Sequence, residues 1–174
     1  MITKVLKYGS SVLRKHSTEI NKGEDTKSLI ENLFDTLSRE GGIGLAAPQI
    51  GALKRVFVMD SNPIDDDNGS VDRFKRAVIN PEIISKSDET VIYSEGCLSI
   101  PEIYEEVVRP KKISVKYLDE SFKQVEREID GIEARIFQHE FDHLDGVLFI
   151  DRISPIRRTM LAGKLKKIMR FSKK

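Results

Sequence analysis

The chain has 174 residues, 39% hydrophobic and 33% charged, with a formal net charge of +1. That length suits one packed domain with a real core, expected to run over residues 1–174. No run reaches the ~18 apolar residues of a membrane span, the first residues lack a signal peptide's apolar stretch, and a single cysteine excludes an internal disulfide, so the expectation is a soluble, cytoplasmic protein in a reducing setting with no membrane partner.

Gly9-Ser10-Ser11 reads as a turn into a short helix, with Ser10 as its N-cap. His16 stands among polar neighbours with no partner at ligand spacing, which predicts a solvated side chain. Leu29, Leu33 and Leu37 recur every fourth residue, flanked by Ile30 and Phe34, and predict a helix over 26–40. Asp25 or Thr26 caps its start and Gly41-Gly42 ends it. The stretch from Gly42 to Gly51 is rich in small residues and broken by Pro48, so another backbone can approach it closely. It lacks the spacing of a phosphate-binding loop.

Residues 55–59 read as a strand and 61–72 as an exposed loop. The aspartates at 65–67 lack the ligand spacing and closing Glu of an EF-hand. Short strands are expected at 77–79 and 82–84, on either side of Asn80-Pro81, and at 90–93. Glu95-Gly96-Cys97-Leu98-Ser99-Ile100-Pro101 follows as an irregular segment holding the one cysteine. A lone cysteine is usually a small buried hydrophobe. Residues 112–118 and 125–129 alternate in polarity, and Asp119-Glu120-Ser121 joins them as a hairpin.

Chemistry concentrates at Gln138-His139-Glu140-Phe141-Asp142-His143. On a helix, predicted here over 132–144, positions i and i+4 share a face, so His139 and His143 can reach one metal ion. Glu140, one residue past the first of them, can handle the proton of a metal-activated water. Ile132 and Ile136 continue the same face, which places the ligands on the helix's apolar, core-facing side. A third ligand is needed. No Glu follows Glu140, and the position of a third histidine in a metzincin is Phe149. Asp151 can serve in principle; Cys97 is softer and stronger. One Cys and two His leave a coordination position open for water. A blue-copper centre uses the same set but gives Glu140 no role.

The net charge hides an asymmetry. After Asp151 come nine basic residues and no acid, which leaves −8 for residues 1–151. Ser154-Pro155 reads as N-cap and first residue of a terminal helix within 152–174, with Leu161, Leu165, Ile168 and Met169 as its apolar stripe. Its basic face is either a solvated surface or a contact for RNA phosphates.

Three stretches together resemble one family: Gly42-Ile43-Gly44-Leu45-Ala46-Ala47-Pro48-Gln49, Glu95-Gly96-Cys97-Leu98-Ser99, and Gln138 to His143. They are similar, in order and separation, to the three motifs of bacterial peptide deformylase, and the basic terminal helix resembles that of its type 1 branch. The resemblance implies an α+β fold, with mixed or antiparallel sheets around a central metal-binding helix and a helix towards each terminus. It implies a hydrolase that removes the formyl group from N-formyl-methionyl nascent peptides, with Glu140 as general base and acid. It implies Fe(II) held by Cys97, His139 and His143, with Zn, Ni or Co able to replace it. The oxyanion donors would be the Leu98 N–H and the Gln49 amide. Residues Ile43, Gly44 and Leu45 would pair with the substrate backbone beside Gly96, and Ile43, Tyr93, Ile132 and Ile136 would receive the methionine. Glu95 and Arg109 would form an ion pair beside the metal loop, and Arg135 stands where the family often has an apolar residue. The ribosome is the partner implied for the basic helix, and no DNA is expected. A peptidase cutting internal bonds and a non-catalytic metal- or ribosome-binding protein are the competing classes.

Overall fold

The structure, a computed structural model, describes residues 2–64 and 72–172, with side chains through residue 170. The aspartates at 65–67, Lys173 and Lys174 lie outside the described residues. Helix α1 spans Lys27–Glu40 and buries Ile30, Leu33 and Leu37. Asp25 accepts the Lys27 N–H through Oδ1 at 3.0 Å, satisfying one of the donors a helix start leaves open. Gly41 ends the helix at φ 67°, a left-handed conformation that only a residue without Cβ takes cheaply. Ser10 precedes a 3-10 turn at Ser11–Arg14, but its side chain makes no capping bond.

Five strands form one antiparallel sheet in the order β1-β2-β3-β6-β7. They are β1 Gly44–Ala46, β2 Val56–Asp60, β3 Lys75–Lys86, β6 Lys112–Leu118 and β7 Gln124–Asp130. The hairpin around 119–121 is as expected. Strand β3 is not two strands: it runs through Asn80-Pro81 with a register shift against β6 between Ile79 and Glu82. Asn80 takes φ 47° and clasps the backbone of Ile20, accepting its N–H at 2.9 Å and donating to its carbonyl at 2.8 Å. The irregularity spares Pro81 a ladder N–H that it does not have.

Strands β4 Thr90–Cys97 and β5 Ile100–Pro110 make a separate antiparallel pair. The sequence did not suggest β5. Its inward positions are Ile103, Glu105, Val107 and Arg109, while Tyr104 and Val108 stand exposed, so charge turned inward blurs the alternation that marks a strand. Cys97 therefore sits at the end of a strand, where the pairing register breaks, and not in a free loop.

Helix α2, Gly131–Leu144, is central and buries most of its side chains. Phe137 packs edge-on against Phe57 of β2, ring centroids 5.1 Å apart, within a cluster that includes Val78, Val115 and Ile129. Burying a side chain of this size contributes about 2–3 kcal/mol. This packing fixes the helix's rotation, and with it the direction of the next two turns.

Helix α3, Pro155–Ser172, starts where Ser154 Oγ accepts the Arg157 N–H at 3.3 Å. Leu161 and Leu165 pack with Ile103 and Val107 of β5. Three of the basic residues after Asp151 are exposed but held by carboxylates of the body. Arg157 holds Glu105 through Nε and Nη2 at 2.9 and 3.0 Å, Arg158 reaches Asp151 at 2.9 Å, and Arg152 grips Asp142. Among the described residues, no helix is long and apolar enough to cross a membrane.

Candidate active site

Helix α2 presents His139 and His143 one turn apart, ring centroids at 5.1 Å. The end of β4 brings Cys97 beside them, its Sγ 3.3 Å from His143 Nε2. One ligand atom from each of the three lies within 4.8 Å of the others. Two residues before Cys97, the Glu95 carboxylate accepts from His139 Nδ1 at 2.9 Å, which leaves Nε2 of that ring for a ligand role. Arg109 binds Glu95 through Nε at 2.6 Å and Nη2 at 2.9 Å, and Arg135 Nη1 adds a bond at 2.8 Å. Burial alone raises the pKa of Glu95, but the hydrogen bonds from Arg109 and His139 overcome it and hold the carboxyl far below its usual range. A depressed folded-state pKa stabilises the fold above the unfolded value of about 4.3, and that contribution is lost only as pH falls through the folded value, in strong acid.

Arg109 also donates to Asp142 at 2.8 Å, and Arg152 Nε reaches the same carboxylate at 2.5 Å. One buried guanidinium thus serves two buried carboxylates. Arg109→Met should destabilise the protein by about 3–5 kcal/mol, because it removes the cation shared by two buried carboxylates and leaves Glu95 to Arg135 and Asp142 to Arg152 alone. For a chain of this length that is a fall of roughly 10 °C in the unfolding midpoint, to be read by thermal unfolding; an unchanged midpoint would show the network to be idle.

Glu140 is 3% exposed, and its Oε2 has no hydrogen-bond partner among the described residues. Burial pushes its pKa up to about 7, with the His139 charge working against the rise. Strand β1 passes so close that a Cβ on Gly44 would lie 2.9 Å from the Glu140 carboxyl carbon. Burial, reinforced by the charge on His139, lowers the pKa of His143 and keeps its ring neutral. Burial opposes a charge on His139 too, yet the hydrogen bonds to Cys97 and Glu95 raise its pKa. The centre sets a thiol, two imidazoles and a carboxylate oxygen without a hydrogen-bond partner among the described residues side by side. That donor set fits a divalent ion.

A cavity of about 500 Å³ opens onto these residues. Ile43 and Gly44 of the small-residue stretch line it, as do Gly96, Ile132 and Ile136. Tyr93 stands at its rim, 52% exposed. Gln49 and Leu98 also border it. Gln49 is locked: its Oε1 accepts the Ala46 N–H at 2.8 Å and its Nε2 donates to Ser99 Oγ at 3.1 Å. Leu45, expected to act through its backbone, has its side chain fully buried against α1, because on a strand it points away from the neighbour that faces the cavity. His16 is solvated as expected, with a loose approach of 3.8 Å to Asp145.

Three contacts escaped the sequence. His139 leans on Glu95, 44 residues away. Lys7 Nζ donates to the Leu98 carbonyl at 2.7 Å. Arg135 lies in the cavity wall but turns its guanidinium into the interior. None carries a local spacing signal, since each partner lies on another element.

The sequence model of the polypeptide deformylase family matches residues 2–159. The chain belongs to the polypeptide deformylase family. It is 48% identical over 168 residues to a peptide deformylase of Thermotoga sp., covering 96% of both chains. The crystal structure of a peptide deformylase from Legionella pneumophila superposes with a TM-score of 0.85 at 38% identity, covering 100% of this chain and 99% of that one. Peptide deformylase from Plasmodium falciparum gives 0.87 at 36% identity, covering 98% and 97%. Polypeptide deformylases are metal-dependent hydrolases that act on formylated nascent peptides. In this deformylase the Cys97, His139 and His143 cluster is the candidate metal site.

Proposed function

We propose that this chain removes the formyl group from N-formyl-methionyl peptides at the centre formed by Cys97, His139 and His143. The observation that carries the reading is a buried Glu140, its Oε2 without a hydrogen-bond partner among the described residues, beside two imidazoles and a thiol, at a cavity bordered by two strand edges. Strand β1 is the edge of its sheet and β4 has one partner. An extended peptide laid between them meets free N–H and C=O groups and is held as an added strand. Its first side chain then falls among Ile43, Ile132 and Ile136, under Tyr93.

A divalent ion bound there would supply Lewis acidity to water and to the formyl oxygen. The chain's own groups do the rest. Glu140 accepts the water's proton and returns it to the departing amine, and the burial that raises its pKa makes it the stronger proton acceptor. Gln49 is fixed by Ala46 and Ser99; the second Nε2 hydrogen, which meets Cys97 Sγ at 3.5 Å, would turn to the developing oxyanion, together with the Leu98 N–H. Removing one such donor costs about 3–4 kcal/mol of transition-state stabilisation. We assign Fe(II) as the resident ion, with Zn, Ni or Co able to occupy the same donors. A thiol kept reduced and a nascent-chain substrate both suit the cytoplasm.

The test offers a formyl-methionyl peptide and its unformylated counterpart side by side, with metal analysis of anaerobically prepared protein. Release of formate from the first alone supports the reading. Internal cleavage of either peptide would make the protein a peptidase, and no turnover with any metal supplied would make it a binding protein.

The ribosome is the proposed partner of α3. With Arg152, Arg157 and Arg158 held by body carboxylates, the face left for RNA phosphates includes Lys164, Lys166, Lys167 and Arg170, all exposed. Co-sedimentation with ribosomes should weaken steeply with salt and be lost on charge reversal at Lys166, Lys167 and Arg170, while activity on a short peptide survives. Equal binding by parent and variant would remove the partner.

A further inference from the structure

We propose that Arg135 is a positioning residue: through Glu95 it fixes the ring of His139, and it ties that ring to the wall that receives the substrate side chain. The inference rests on reading Cys97, His139 and His143 as metal ligands.

The Glu95 carboxylate has four donors on two oxygens. Oε1 takes Arg109 Nε at 2.6 Å and Arg135 Nη1 at 2.8 Å. Oε2 takes Arg109 Nη2 and His139 Nδ1, each at 2.9 Å. Arg109 alone satisfies both oxygens and neutralises the charge, but it is shared with Asp142. Without a further contact on Oε1, the carboxylate can swing on its last torsion towards Arg109 and leave His139. Arg135 blocks that swing. It stands four residues before His139 on the same helix, so one face of α2 grips Glu95 from both sides.

The remaining bonds of Arg135 go to atoms that cannot rotate away. Nη1 donates to the Val107 carbonyl at 3.0 Å and Nη2 to the Val91 carbonyl at 2.8 Å. A rigid path therefore runs from the backbone of β4 and β5 through Arg135 and Glu95 to His139. Arg135 is 6% exposed, in a wall otherwise built by Ile132 and Ile136, where an aliphatic side chain would fill the space without burying a charge. A buried guanidinium is costly unless it is fully engaged, and this one is engaged with the carboxylate that orients a ligand. The ring of Tyr93 lies over it, 5.7 Å from ring centroid to Cζ. Tyr93 also borders the cavity, so a side chain seated there presses on the ring that covers Arg135.

The test compares the zinc-loaded parent with Arg135→Met and Arg135→Lys. Metal release to excess EDTA should be 10- to 100-fold faster in Arg135→Met, the usual effect of losing a partner behind a ligand histidine. On a formyl-methionyl peptide kcat should fall with KM nearly unchanged, and the visible spectrum of the cobalt form should shift. Arg135→Lys keeps one donor for Glu95 and should release metal at an intermediate rate. Parent-like release and kcat in Arg135→Met, with only KM raised, would reduce Arg135 to cavity wall and overturn the proposal. If Arg135→Met does not fold, Arg135→Lys decides: its single ammonium cannot reach Glu95, Val91 and Val107 together, so faster release supports the role and parent-like release overturns it. A parent that holds no ion at the three ligands would instead sink the functional reading itself.

Discussion

Glu140→Gln is expected to keep the bound metal and lose turnover by about 10³-fold, the middle of the range for removing a general base. The amide preserves the shape of a side chain that is 3% exposed and lies against β1, so the loss is one of proton acceptance and not of packing. Asp142 cannot take over, because Arg109 and Arg152 hold both of its oxygens. Two pH effects follow. Turnover needs the carboxylate form, so kcat/KM of the parent should fall as pH drops through the Glu140 pKa, at or below about 7, since a bound cation favours the charged form. In the metal-free protein the sign reverses for stability. A folded-state pKa raised above the unfolded value gives stability that is complete at low pH and lost as pH rises through the folded value. The metal-free parent should therefore weaken, relative to Glu140→Gln, between about pH 4.5 and pH 7. Near-parent kcat in a metal-replete variant would take the general-base role away from Glu140.

The two histidines were legible in the sequence because helix geometry alone puts i and i+4 on one face, and Cys97 because the chain after Glu140 offers so few other ligands. The apolar periodicity of α1 and the hairpin of β6 and β7 were legible for the same local reason. What stayed hidden depends on partners distant in sequence. Strand β5 turns Glu105 and Arg109 inward, and those charges make sense only beside Arg157, Glu95 and Asp142 on other elements. The run through Asn80-Pro81 looked like a break because Pro81 has no N–H, and nothing nearby announces that Asn80 would clasp Ile20, 60 residues earlier. The basic tail shows the limit of counting charge. The count is right, but which arginines face the body is decided by carboxylates at 105, 142 and 151.

Cys97→Ala should lose tight metal binding and activity together. One ligand of a structural zinc site carries about a quarter of a typical ~12 kcal/mol, so its loss weakens the affinity by ~3 kcal/mol, roughly 100-fold or more. The neighbouring Glu140 carboxylate is the group the reaction needs for its proton, so its capture of the ion would not restore activity. Asp151, the alternative that the sequence leaves open, accepts the Leu148 N–H at 2.8 Å and is gripped by Arg14 and Arg158. Burial raises the pKa of Asp151, but the Arg14 hydrogen bond outweighs that and keeps the carboxyl below its usual range, so freeing it for a metal means breaking those pairs. The fold itself should survive, because Cys97 is only half-buried at the edge of the cluster around Ile100 and Phe149. Two measurements separate a ligand from a packing residue. Metal content after dialysis should fall to near zero in the variant while far-ultraviolet circular dichroism stays that of the parent. Added zinc should raise the parent's unfolding midpoint by mass action and raise the variant's far less. A Cys97→Ala protein that retains its ion and shows the parent's zinc-induced shift would mean that the sulfur is not a ligand, and Asp151 would then have to break from Arg14 to replace it.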